Sequence, residues 1–152
     1  MFIENPLNSS ILVFPILECF HIVGFTLSVG TIALVDFRLL GIGMNHQTPA
    51  EVADDTKLWT LGGLALMVLS GLMLFSSDPD MYYLNMAFVL KMIFLIAAIT
   101  FNYTIHRKAV LPGSSPGLGK LLACISLVLW AGVLFGGIYI GFTQEGLSFH
   151  NL

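Results

Sequence analysis

The sequence predicts an all-α protein, an integral membrane four-helix up-down bundle. Three observations predict it. Charged residues make up 10% of the chain and apolar residues 57%, whereas an ordinary soluble domain is roughly 25% charged. Four apolar runs approach or exceed the length of about 20 residues that a helix needs to cross a bilayer. Short connections separate the runs, which makes sequential helices antiparallel neighbours. Strands of a membrane barrel would alternate polar and apolar with period two, and these runs do not. Helices are then the way left to satisfy the backbone in lipid. The 152 residues suit a single transmembrane domain over 1–152.

The first span is expected over about 11–43, with Pro15 in its first turns. It is longer than a crossing needs, so it tilts or projects beyond the hydrocarbon. No basic residue precedes it, so the positive n-region of a signal peptide is missing and processing is not expected. Residues 44–57 (MNHQTPAEVADDTK) read as a polar loop, and the second span follows at about 58–75. Residues 76–81 (SSDPDM) read as a tight loop before a third span at about 82–106. Residues 107–117 (RKAVLPGSSPG) cannot be helical throughout. The fourth span is expected at about 118–142.

Lysine and arginine set the orientation. Arg38, Lys57, Arg107, Lys108 and Lys120 lie in or beside the first and third loops, and the sixth basic residue, Lys91, lies inside the third span. By the positive-inside rule both loops are cytoplasmic, and both termini and the second loop face outward. Tyr82, Tyr83 and Trp59 fit aromatic belts at the two interfaces.

Several classes of function are disfavoured. A net charge of −3 argues against nucleic acid as a partner. No CxxC, HExxH, GxSxG or glycine-rich phosphate loop occurs. Cys19 and Cys124 sit in apolar runs and read as small buried residues. Met67, Met73 and Met92 are too irregularly spaced to read as copper ligands. Small residues mark packing seams. Gly132 with Gly136 and Gly137 with Gly141 make two GxxxG spacings on the fourth helix. Gly62, Gly63, Ala65, Ser70 and Gly71 make a looser set on the second, with Gly63, Met67 and Ser70 near one face.

Ionisable groups inside a membrane are costly and mark function by default. Here they are Glu18, His21, Asp36 and Arg38 on the first helix, and Lys91 and His106 on the third. At about 100° per residue each helix gathers its polar groups on one edge, with Asn102 joining that of the third. Asp36 lies fifteen residues beyond His21, and His106 fifteen beyond Lys91. Both helices cross in the same sense, so the groups fall into two layers about 22 Å apart. An outer layer holds Glu18, His21 and Lys91. A secondary polar layer holds Asp36, Arg38, Asn102 and His106. The secondary layer reads first as a structural anchor, with Arg38 snorkelling or pairing with Asp36. The outer layer is open between a plain Glu18–Lys91 ion pair with a satisfied His21 and a ligand or proton-transfer site. His46 and His150 lie outside the spans and read as solvated.

The segment HIVGFTLSVGTIALVDFRLLG from His21 to Gly41, then WTLGGLALMVLSGLMLF, then a span containing Lys91, resembles an uncharacterised bacterial family of small four-helix membrane proteins. More distantly, His21, Arg38 with Leu39, Gly71 and Lys91 resemble the pattern of HemJ-type protoporphyrinogen oxidases over about residues 18–106. The chain departs from that pattern at Val35, Asp36 and Phe37, where the family has aromatic residues and a proline. This resemblance implies haem b or a porphyrin as cofactor in the outer layer. His21 would be the axial metal ligand, and Lys91 and Glu18 cofactor-binding residues. It also implies a multi-pass protein of the bacterial inner membrane. The leading expectation is a haem- or porphyrin-associated redox membrane protein. The alternatives are a non-catalytic membrane subunit or assembly factor, and a small transporter using Glu18 and Lys91 as a relay. The partners the sequence allows are the lipid bilayer and further copies of the chain in a homo-oligomer.

Overall fold

The structure is a computed structural model that describes residues 11–77, 79–111, 113 and 115–148. It is all-α, with no strand among the described residues. The helices are α1 (Val13–Leu40), α2 (Pro49–Ser77), the short α3 (Pro79–Tyr83), α4 (Met86–Phe101), α5 (Arg107–Val110) and α6 (Pro116–Ser148). A π-helical turn, Asn102–His106, joins α4 to α5. Four segments are long and apolar enough to cross a membrane: Val13–Leu40, Pro49–Ser77, Met86–Val110 and Pro116–Thr143. In the most apolar stretch of Met86–Val110 only 6% of residues are buried by protein. Apolar surface left uncovered on that scale needs lipid against it. The protein is therefore a multi-pass membrane protein of four spans, as the sequence predicts.

Local chemistry sets the helix ends, and it moves several expected boundaries. α1 stops at Leu40 because Gly41 takes the left-handed conformation, with φ +83°. The Gly41 N–H donates to the Arg38 carbonyl at 3.1 Å and the Ile42 N–H to the Phe37 carbonyl at 2.8 Å. That is a Schellman cap. α2 begins at Pro49, so the second half of the expected 44–57 loop is helical. The reason is a capping box. The Thr48 N–H donates to Glu51 Oε2 at 2.6 Å, and the Glu51 N–H returns a bond to Thr48 Oγ1 at 3.3 Å. Proline at the first helical position completes the start.

The third span does not begin at Tyr82. Tyr82 and Tyr83 close α3, and α4 starts at Met86 behind Asn85, whose side chain caps the Ala87 N–H at 2.9 Å. The expected 76–81 loop is mostly helical too, since Ser76 and Ser77 end α2 and Pro79 opens α3. The 107–117 segment does break as expected. After α5, Leu111 is extended and Gly113 has φ +96°. Ser115 then caps α6 through its hydroxyl and the Leu118 N–H at 3.4 Å.

The chain forms two compact units, and both α1 and α2 contribute to each. The first contains the described part of Met1–Ile32 together with Asp55–Tyr82. There α1 and α2 run antiparallel in close backbone contact. A Cβ on Gly24 would lie 2.6 Å from the Met67 nitrogen, and one on Gly63 would lie 2.6 Å from the Ser28 nitrogen. No side chain fits at either place, so two glycines set the separation of the helices. Thr31 and Thr60 hydroxyls hydrogen-bond across the same seam at 2.8 Å.

The second unit contains Ala33–Asp54 and the described chain from Tyr83 onward. Here α4 packs antiparallel on α6. Asn85 Nδ2 donates to Thr143 Oγ1 at 2.8 Å, and the Phe94 ring covers Gly132, where a Cβ would lie 2.6 Å from it. Of the two GxxxG spacings, Gly132, Gly136 and Gly137 face α4, whereas a Cβ on Gly141 would meet no other element within 4 Å among the described residues. Cys19 and Cys124 are free and exposed rather than buried. Both sit on helix faces that protein does not cover, and in a spanning helix such faces meet lipid.

Candidate functional site

The first unit holds His21. Its ring rests against Gly71, where a Cβ would lie 2.9 Å from Cε1. Its Nδ1 is 2.8 Å from the Met67 carbonyl and 3.2 Å from Ser70 Oγ. A carbonyl only accepts, so Nδ1 carries the proton. In the neutral ring Nε2 then carries the lone pair. Ser70 is itself held, because its hydroxyl donates to the Leu66 carbonyl at 2.6 Å. The ring is therefore fixed in position and in tautomer by α2. Glu18, one turn earlier on α1, is exposed. Gly63, Met67 and Ser70, placed near one face by helical spacing, do lie along the α1–α2 seam.

The second unit holds Lys91 and the secondary polar layer. Lys91 is half-buried on the α4 face turned to α6. A Cβ on Gly136 would lie 3.0 Å from Lys91 Cβ, and one on Gly137 would lie 3.5 Å from Nζ. The glycine seam thus makes room for this side chain. Among the described residues its ammonium has no hydrogen-bond or ion-pair partner.

Asp36 and His106 meet. His106 Nε2 lies 2.5 Å from Asp36 Oδ1, with the carboxylate wholly buried and the imidazole nearly so. The π turn that carries His106 has one more residue per hydrogen-bonded ring than an α-helix, and such turns recur at functional sites. Arg38 does not take up Asp36. Its Nε donates instead to the Gln47 carbonyl at 2.5 Å. Asn102 is half-buried at the start of the π turn, and its carbonyl accepts the Arg107 N–H.

Some participants had no role in the sequence reading. Among the described residues, four buried polar atoms have no hydrogen-bond partner: Ser28 Oγ, Asp36 Oδ2, Ser126 Oγ and Trp130 Nε1. Ser126 and Trp130 are ordinary members of an apolar run, and nothing local marks them. Gly24 could have been found, because Gly24 and Ser28 form a small-xxx-small pair. Among the described residues no three His, Cys, Asp or Glu side chains group to hold a metal ion by themselves.

Fold and polar sites together define a class, a four-span α-helical membrane protein with ionisable groups placed within its spans. Within that class the chain belongs to a family of unknown function, DUF6644, whose match runs over residues 12–143. Comparison with curated proteins and with solved structures gives no match.

Proposed function

We propose that the protein is a haem- or porphyrin-associated redox protein of the bacterial inner membrane, with His21 as the axial ligand. One observation carries the reading. The His21 Nδ1–H donates to the Met67 backbone carbonyl, and this is how ligating histidines are held, with the second ring nitrogen fixed by an outer partner. The bond assigns the lone pair to Nε2 and raises its basicity. Gly71 lets the ring lie close to α2, and Ser70 steadies it. This donor chemistry fits an iron porphyrin. Bound there, the group would supply one-electron redox chemistry, its potential set by the axial nitrogen and the apolar surroundings. The distant resemblance to HemJ-type protoporphyrinogen oxidases supports the same residue. A bis-histidine haem using His106 is disfavoured, because His106 is already paired with Asp36.

The test is the visible spectrum of the protein purified from a haem-replete host. A Soret band is expected. His21→Ala should abolish it, and Ser70→Ala should shift or weaken it by loosening the ring. A colourless wild type that also gains no Soret band on titration with hemin would sink the reading. The second reading is a non-catalytic membrane subunit. The Gly24–Gly63 backbone contact favours it, since such seams serve packing alone.

A further inference from the structure

The Asp36–His106 pair lies outside the proposed cofactor site and has features that a helix anchor does not need. Asp36 is 0% exposed. One carboxylate oxygen is satisfied by His106 and the other, Oδ2, is buried with no partner. A buried carboxylate leaving an acceptor unused is costly. In native proteins such an atom marks ordered water or a functional group. Two more partnerless polar atoms occur in the same unit, both on α6. Ser126 and Trp130 are 1% and 3% exposed, and each has its polar atom buried and unbonded.

Their positions form a series. α1 and α6 are the first and last of four spans and cross in opposite senses. Leu39 of α1 packs on Gly119 of α6, where a Cβ would lie 3.4 Å from Leu39 Cδ2. Three residues back along α1 stands Asp36, about 4.5 Å higher by helix rise. Seven residues on from Gly119, on nearly the same face of α6, stands Ser126, and Trp130 is one turn beyond. The unsatisfied atoms thus occur at successive levels, starting from the pair and leading away from its basic end.

We propose that Asp36 and His106 form a proton-transfer site served by internal water, with Ser126 and Trp130 anchoring that water. The ligand is a proton carried by water. Asp36 Oδ2 accepts the excess proton of a hydronium ion, leaving a neutral water, and becomes a carboxylic acid, while Oδ1 keeps accepting the His106 Nε2–H. Return of the proton to water restores the carboxylate, and no other bond changes. A hydroxyl both donates and accepts, so Ser126 can pass a proton between two waters. An indole N–H only donates, so Trp130 can fix a water but ends the relay. Charged groups toward this end of the unit are Arg38 on α1, Glu51 and Asp54 at the start of α2, Arg107 and Lys108 on α5, and Lys120 on α6. Arg38 is committed to the Gln47 carbonyl, and the other five are exposed. They leave the pair as the buried titratable couple of this end.

Infrared spectroscopy of the whole protein in detergent, with ¹³C-labelled aspartate, tests the proposal. The spectra are taken over a pH series and after rapid transfer from H₂O to D₂O. Asp36→Asn identifies the Asp36 band by its loss. Should that variant fail to fold, the aspartate label still separates one buried carboxyl from the solvated ones. Two results are expected. The Asp36 band changes between carboxylate and acid within the pH range in which the protein stays folded. Its deuterium shift is complete before the amides of the surrounding helix exchange, and Ser126→Ala or Trp130→Phe slows it. Both substitutions remove an unsatisfied polar atom without adding volume, so they should leave folding intact. A band fixed in one protonation state throughout, or a deuterium shift that neither substitution alters, would overturn the proposal and leave a sealed structural pair.

Discussion

At the scale of single residues, the arrangement depends on where side chains are missing as much as on where they are present. Gly63 and Gly24 let α1 and α2 touch backbone to backbone. Gly63→Ala would push a methyl group to 2.6 Å from the Ser28 nitrogen, a place backbone cannot vacate. The expected cost is about 1–3 kcal/mol, in the range for overpacked cores, read as a lower unfolding temperature in detergent. Gly62→Ala one position away meets nothing within 4 Å and should be neutral, which makes it the control. Lys91 poses the opposite question, because a charge is present with no partner among the described residues. An unpaired ammonium in an apolar setting is unfavourable. Lys91→Met keeps much of the side-chain volume between Gly136 and Gly137 and deletes the charge. If Lys91 serves only packing, the variant should be as stable as the wild type or more so. If it holds an anionic group such as a porphyrin propionate, the variant should unfold no more readily but lose pigment during purification. Comparing the ratio of Soret to protein absorbance with the unfolding temperature separates the two outcomes.

At the scale of elements, the caps decide where each helix starts and stops. Thr48→Ala removes the hydroxyl that accepts the Glu51 N–H and donates to Glu51 Oε2 at 2.9 Å. A loss of about 1 kcal/mol is expected, as for other N-caps. It should appear as faster amide hydrogen exchange confined to the first turn of α2, with the apolar part from Leu58 unchanged. Uniform acceleration along α2 would show that the box supports the whole helix instead. The case also shows how far the sequence could be read. The polar content of 44–57 suggests a loop, yet the Thr-Pro-Ala-Glu signature stands at residues 48–51, and its capping chemistry prevails over composition. Gly41 is a similar stop signal, and its left-handed cap prevails over the apolar run that continues through Ile42. Apolar length alone located the four crossings, since lipid imposes that length whatever the packing. Helix rise also placed Asp36 and His106 at one level, because two helices crossing in the same sense share a depth scale. It could not foresee the bond between them, nor the π turn, which has no sequence signature. Nor could it foresee the contact of His21 with Met67 and Ser70. That contact depends on the register of α1 against α2, and two glycine contacts set that register rather than any polar pattern.

At the scale of the whole molecule, the distribution of basic residues predicts how the protein lies in its membrane. Arg38 ends α1, Lys57 lies in the polar first turns of α2, Arg107 and Lys108 form α5, and Lys120 lies in the first turns of α6. Arginine and lysine flanking a span are retained on the cytoplasmic side. With an even number of crossings the two chain ends share a side, and the expectation is that this side is the outer one. Reporter fusions test this. A periplasm-active reporter joined after Leu152 should be active, and a cytoplasm-active one inserted at residues 43–47 should be active. That short stretch precedes the Thr48 cap, so an insertion there leaves the start of α2 intact. The orientation also bears on the polar groups. On the expected orientation the Asp36–His106 pair would lie near the cytoplasmic surface, within reach of its protons. Reversed reporter activities would reverse that assignment. The proton-transfer site would then draw on the outer compartment, while the bonds that define each site would stand unchanged.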